Sequence, residues 1–189
     1  YGKLLMGGML VHEIAETYNT PLFIYDHGIL RRKYELLRET YPPEFSIYYS
    51  VKANPNPDLL KVFLSMGCGL EVASIGELRL ALGAGCRPEK ILFAGPGKTE
   101  SEIEAALRYG IGELHAESFL EIRRIGGMSQ RLNLEARIAI RVNPGEEAEG
   151  GAMRMGGKAA PFGIDEEQLE TALDLVLSYP DISLRGIHL

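Results

Sequence analysis

Short runs rich in Ile, Val, Leu and Tyr return along this chain at a nearly constant step, and that step limits the fold more than any other feature. Strand-like runs fall at 46–51, 69–73, 90–93, 113–116, 136–142 and 184–188, with successive starts 21 to 23 residues apart until a last step of 48. Between them lie helical patterns at 57–66, 75–84, 100–109, 119–125 and 166–177, where apolar residues recur at three- and four-residue spacing. Strands alternating with helices of this length imply parallel strands joined by right-handed crossovers. Ahead of the repeats stand a helix at 9–18, a strand at 21–25 and an amphipathic helix at 28–40. The expected division is therefore 1–45, leading in, and 46–189, carrying the repeats.

Two α/β architectures use this alternation. A doubly wound dinucleotide-binding sheet needs Gly-x-Gly-x-x-Gly after its first strand. Here that place reads Ser50-Val51-Lys52-Ala53-Asn54-Pro55, without a glycine. A (β/α)8 barrel fits better, because Lys52, Asn54, Ser74, Lys98, Glu117, Ser118, Arg141 and Asn143 all stand where strands end, the side of a barrel that carries chemistry. Eight strands close such a barrel and six are visible, so the chain is expected to be an incomplete barrel, part of a longer protein. The final long step holds a glycine-rich loop, 145–163, of a length that is usually functional or disordered.

Composition removes several function classes. With 20 basic against 26 acidic residues, the net charge of −6 gives no footprint for a nucleic-acid backbone. The apolar stretch 4–11 contains two glycines and is too short to span a bilayer, so no membrane segment is expected. Cys68 and Cys86 lack metal spacing and read as reduced, mostly buried thiols, which with no export signal points to the cytoplasm. Gly95-Pro96-Gly97-Lys98-Thr99 suggests a phosphate loop, but the required earlier glycine is Leu92, and the residues read instead as a solvated turn opening a helix.

Three side chains stand out on chemical grounds. Lys52 follows the aromatic run Ile47-Tyr48-Tyr49-Ser50-Val51 at a strand end. Burial there would disfavour its ammonium form, and a neutral amine forms Schiff bases. An ordinary lysine turning toward water has the same pattern. Arg141 within Ile138-Ala139-Ile140-Arg141-Val142, and Glu71 within Gly69-Leu70-Glu71-Val72-Ala73, are charges inside apolar strands and need partners; a structural ion pair in the barrel interior and an active-site role both satisfy them. His12, His27 and His115 show no metal spacing and default to surface or packing roles.

The motifs then carry a resemblance. Tyr48-Tyr49-Ser50-Val51-Lys52-Ala53-Asn54-Pro55 resembles the lysine signature of the alanine-racemase-like barrel decarboxylases that use pyridoxal phosphate, a family including diaminopimelate, ornithine and arginine decarboxylases. The similarity continues in order through Gly69–Glu77, Phe93–Lys98, Ala116-Glu117-Ser118, Arg141-Val142-Asn143-Pro144, Phe162-Gly163-Ile164 and Gly186-Ile187-His188. Met153-Arg154-Met155-Gly156-Gly157, with Pro161 before Phe162 where the diaminopimelate pattern has Lys, resembles a side branch that includes a butirosin-pathway decarboxylase acting on a carrier-held glutamyl group.

The resemblance implies that Lys52 is the catalytic residue and holds pyridoxal 5'-phosphate as a Schiff base, with Ser50 beside the ring, Glu71 below it and Arg141 near the phenolic oxygen. His188 matches the first histidine of the family's His-x-His run. No metal is expected. It further implies decarboxylation of an amino acid, either free diaminopimelate or one tethered to a carrier protein met by Arg154 and Lys158. A racemase, or a barrel binding a partner through loop 145–163 without catalysis, are the other readings. Relatives complete their sites across a homodimer with a second β domain, absent from this stretch, so residues 1–189 alone are expected to be inactive.

Overall fold

A computed structural model describes residues 2–145 and 161–189. Contacts divide the chain into one unit ending at Ser46 and a second over Ile47–Leu189. The first unit opens on an antiparallel hairpin, β1 (Leu5–Met6) and β2 (Met9–Leu10). Gly7 and Gly8 make its two-residue turn, both at positive φ (59° and 82°), the pairing that matches strand twist. Helix α1 (Val11–Tyr18) and helix α2 (His27–Thr40) follow, the latter capped by the Asp26 carboxylate accepting from the Ile29 N–H. The expected strand at 21–25 is not one. Its apolar alternation is present, but these residues pair with no strand among those described, and Phe23 is 88% exposed.

The second unit is a parallel sheet wrapped by helices. Its elements run β3 (Tyr48–Ser50), α3 (Pro57–Ser65), β4 (Gly69–Val72), α4 (Ile75–Gly83), β5 (Ile91–Phe93), α5 (Glu100–Tyr109), β6 (Glu113–Ala116), α6 (Phe119–Leu132) and β7 (Ala136–Asn143). Then come the two-residue β8 (Ile164–Asp165), α7 (Leu169–Leu177) and β9 (Ile182–His188). β3 to β7 are neighbours in chain order, and β9 pairs along β7 while β8 takes only its last residues, Val142 and Asn143. Order without reversal is the mark of a barrel; a doubly wound sheet reverses at its switch point.

Parity divides the sheet into two faces. Leu70, Val72, Ile91, Phe93, Leu114, Ala116, Ile138 and Ile140 are all buried and form the core with the helices. Register partners in a parallel ladder share a face, so Ser50 lies with Glu71, Glu71 with Leu92, Leu92 with Glu113, His115 with Ala139, and Arg141 with His188. That opposite face is the polar one. Arg141, whose strand could have pointed it either way, belongs to it.

β4, β5 and β6 each turn into their helices through a hydroxyl cap. Ser74, Thr99 and Ser118 accept the backbone N–H of Glu77, Glu102 and Glu121, and Thr99 with Glu102 completes a capping box. Helix α6 runs seven residues past its expected end at Ile125, because Gly126 and Gly127 do not break it. A Cβ on Gly126 would lie 2.5 Å from the Tyr179 ring, so the glycine is there for close packing, and Asn133 in the left-handed region (φ 53°) ends the helix. The helix expected over 166–177 begins as a 3-10 turn, Glu166–Gln168.

Gly69 shows how tightly the first strands meet. A Cβ there would fall 2.2 Å from Tyr48 and 2.7 Å from the Lys90 carbonyl oxygen. The side chain can move aside but the backbone oxygen cannot do so cheaply. Gly69→Ala in the intact protein is expected to cost about 1–3 kcal/mol, the range for overpacking, read as a lower denaturant midpoint at unchanged slope. An unfolding curve superimposable on wild type would show that β3, β4 and β5 give way easily.

Candidate cofactor site at the strand ends

The turn carrying Lys52 is braced on both sides. Val51 is fully buried against the helix side, and Val51–Ala53 forms a 3-10 turn that sends Lys52 the other way. Tyr49 stacks on Phe63 with centroids 3.9 Å apart, and its hydroxyl donates to the Asn54 carbonyl (3.3 Å). The Asn54 side chain accepts the Asn56 N–H, and the Asn56 side chain accepts the Asp58 N–H at the start of α3. Pro57 fills the first turn of that helix, where a missing N–H costs nothing. Lys52 is exposed, as in the reading of a lysine turning toward water, and the buried position in this turn goes to Val51.

Ser50 lies on the polar face two residues before Lys52, in register with Glu71. Its Oγ is buried and makes no hydrogen bond. A buried hydroxyl without a partner carries a desolvation cost, normally avoided, that a ligand at this face would relieve.

The expected partnership of Arg141 with Glu71 is not formed. Glu71 stands on β4, three strands from β7. Arg141 pairs instead with Glu117, which follows the adjacent β6: Nη1 donates to both carboxylate oxygens, at 3.1 and 3.0 Å. The Arg141 guanidinium also lies over the Phe162 ring, 4.9 Å from its centroid. Gly163 makes that approach possible, since its φ is +79° and a Cβ would meet the Arg141 carbonyl oxygen at 3.0 Å.

Glu117 is the hub of a buried network. Its Oε1 also accepts the Gly95 N–H (2.7 Å), and its own N–H donates to Glu121 (2.7 Å). Lys98, expected to be solvated, is 4% exposed, and its ammonium donates to the Gly95 and His115 carbonyls and to Glu121 Oε1, at 2.8, 2.6 and 3.2 Å. Three acceptors match three ammonium protons. Burial pulls the Lys98 amine below and pushes the Glu121 carboxyl above their ordinary values, each opposed by the other's charge. Glu117 and Lys98 were legible as polar strand-end residues; their partners Arg141 and Glu121 were not, because each lies more than 20 residues further along the chain and is brought close only by the adjacency of β5, β6 and β7.

His115 was also assigned too little. Its Nδ1 is 2.9 Å from Nδ1 of His188, so one ring donates to the other. Burial, then His188 and the cations Lys98 and Arg141, lower the His115 pKa to about 3, and burial followed by Arg141 lowers that of His188. Both rings are therefore neutral near pH 7, and the 3.5 Å approach of His115 Nε2 to Glu113 is not an ion pair there. Cys68 and Cys86 are free and buried as expected, and burial pushes the Cys68 thiol up to about 11. Arg154, Lys158 and the 153–157 motif lie outside the described residues. Among the described residues no cluster suits a metal ion, and no helix is long and apolar enough to cross a membrane.

A parallel barrel sheet with a lysine turn, an orphaned serine hydroxyl and a braced arginine at its strand ends defines a cofactor-binding barrel. The sequence profile of the pyridoxal binding domain of the pyridoxal-dependent decarboxylases matches residues 27–189. The chain belongs to this family, whose cofactor is pyridoxal phosphate. Over 175 residues it is 41% identical to an L-glutamyl-(BtrI acyl-carrier protein) decarboxylase of Niallia circulans, covering 93% of this chain and 41% of that protein. It is 35% identical to the diaminopimelate decarboxylase of Aquifex aeolicus over 99% of this chain and 44% of the relative. The solved diaminopimelate decarboxylase of M. jannaschii superposes with a TM-score of 0.92 at 27% identity, over 99% of this chain and 45% of the other. The chain thus spans a little under half the length of these relatives.

The residues present fit pyridoxal phosphate. Lys52 offers an amine, Ser50 a hydroxyl without a partner, and Arg141 a permanent cation, all on or beside the polar face.

Proposed function

We propose that the intact protein decarboxylates an amino acid using pyridoxal phosphate anchored covalently on Lys52. The orphaned, buried Ser50 Oγ carries the reading, because it marks the polar face beside the lysine turn as a place built for a ligand. When bound, pyridoxal phosphate supplies the electron sink for the pair released as carbon dioxide leaves the α-carbon. The Ser50 hydroxyl donates to the group bound beside it. The Arg141 cation favours an anionic oxygen at its end of the face. Glu71 supplies negative charge on β4, and the neutral His188 ring fills the β9 end with its Nδ1 already committed to His115. Residues 1–45 lead into the barrel, and 46–189 form its cofactor-binding part.

Two substrate readings have support. The 41% identical relative acts on a carrier-held glutamyl group, and it favours an amino acid tethered to an acyl carrier protein. The diaminopimelate decarboxylases, 35% identical and with closely superposing structures, favour free diaminopimelate. Carbon dioxide release by the full-length protein on each substrate separates them. In either case we propose a cytoplasmic homodimer in which 1–189 alone does not turn over.

The anchor is tested by borohydride reduction of the full-length holoenzyme and peptide mapping. A phosphopyridoxyl group is expected on Lys52. Its recovery on another lysine, or on none, would overturn the assignment.

A further inference from the structure

The geometry points to Glu117 as the positioning residue that sets the Arg141 guanidinium for the bound cofactor. This deepens the reading above and rests on Arg141 facing the cofactor. Arg141 is gripped on two sides, by the Glu117 carboxylate through Nη1 and by the Phe162 ring over its plane. Both Glu117 contacts use the same nitrogen, so Nη2 and Nε stay outside that pair and keep their donors for an anionic oxygen.

Glu117 is itself held from two elements besides the strand of Arg141. The Gly95 N–H, from the loop after β5, fixes Oε1 at 2.7 Å, and the Glu117 backbone is tied to Glu121 on α6. Lys98 in turn holds Glu121 and the Gly95 carbonyl. The Glu117 side chain is 1% exposed, whereas that of Arg141 is 13% exposed. A carboxylate that cannot swing therefore fixes a cation that still reaches the open face. The groups facing Arg141 and Glu117 are Lys98, Glu121, His115, His188 and, more distantly, Glu71. Lys98 and Glu121 balance each other and both histidines are neutral near pH 7, so Glu117 is the compensating charge that Arg141 touches.

The proposal predicts coupling rather than mere loss. In the full-length apoprotein titrated with pyridoxal phosphate and followed by visible absorbance, Glu117→Gln should weaken binding about tenfold to a hundredfold, the range for a hydrogen bond to a charged group. In an Arg141→Lys background, whose single amine nitrogen leaves no Nη2 or Nε to reach an anionic oxygen while Glu117 holds it, the same substitution should weaken binding little further. The pH profile of the absorbance band should move in the single variant. An equal loss in both backgrounds, or unchanged affinity and band with only a lower apoprotein melting temperature, makes Glu117 a framework residue and overturns the proposal. If Glu117→Gln yields no folded protein, Glu117→Asp is read the same way, and failure of both to fold counts against it. Borohydride mapping of wild type separates this from the proposed function: label absent from Lys52 defeats that reading, while label on Lys52 without coupling defeats only this one.

Discussion

Lys52→Arg in the full-length protein is expected to lose at least about a thousandfold in turnover, some 4 kcal/mol at 1.36 kcal/mol per tenfold. Arginine keeps the positive charge and most of the length, so it tests whether the lysine acts as a charge or as an amine. A covalent anchor has to give up a proton and bond through its nitrogen; a guanidinium, protonated at any accessible pH, cannot. The fold should not suffer, because Lys52 is exposed and the turn is held by Val51, the Tyr49–Phe63 stack and the Asn54–Asn56 bonds. The measurements are carbon dioxide release on free and carrier-tethered amino acids, with melting temperature as the folding control. Lys52→Arg retaining a tenth of wild-type turnover would reduce the lysine to an electrostatic part.

The sequence placed the elements better than the partnerships. Strand β6 and helix α5 have their expected ends, since apolar parity and a Thr-x-x-Glu cap are local signals. The strand expected at 21–25 failed because alternation describes a surface, while a strand also needs a neighbour. The helix expected to end at Ile125 runs on through Gly126 and Gly127, because Gly126 packs against Tyr179, more than fifty residues on. At the site the same division holds. Lys52 and Arg141 were named from strand ends, and Ser50 and His188 from the motifs, but that Glu117 is the partner of Arg141 was not legible. Choosing between Glu71 and Glu117 requires knowing which strands are adjacent. Lys98 failed for the same reason, its three acceptors coming from its own loop, β6 and α6.

Lys98→Met should be the most destabilising substitution in the barrel that leaves Lys52 and Arg141 untouched, at about 3–5 kcal/mol, the cost of removing one member of a buried ion pair. Methionine fills similar volume near the Phe93 ring, so the loss is electrostatic: Glu121 keeps a buried charge, and the Gly95 and His115 carbonyls lose their donor. The pH dependence gives the sign. Burial already holds the Glu121 carboxyl above its ordinary value, and without Lys98 only the Glu117 N–H still opposes that. A carboxyl raised in the folded state contributes stability that is full below its unfolded pKa and lost as pH rises through the folded one. The deficit of Lys98→Met against wild type should thus be larger at pH 8 than at pH 5. The buried histidines act oppositely in both proteins, losing stability as pH falls below their unfolded value, and that slope largely cancels in the difference. What remains has the same sign, since Lys98 helps to depress His115 and its removal eases that acid penalty. Adding Glu121→Gln to Lys98→Met should recover stability at pH 8, where the amide carries no buried charge and still accepts the Glu117 N–H. A deficit equal at both pH values, with no recovery in the double variant, would mean that the network is held by packing and not by its charges.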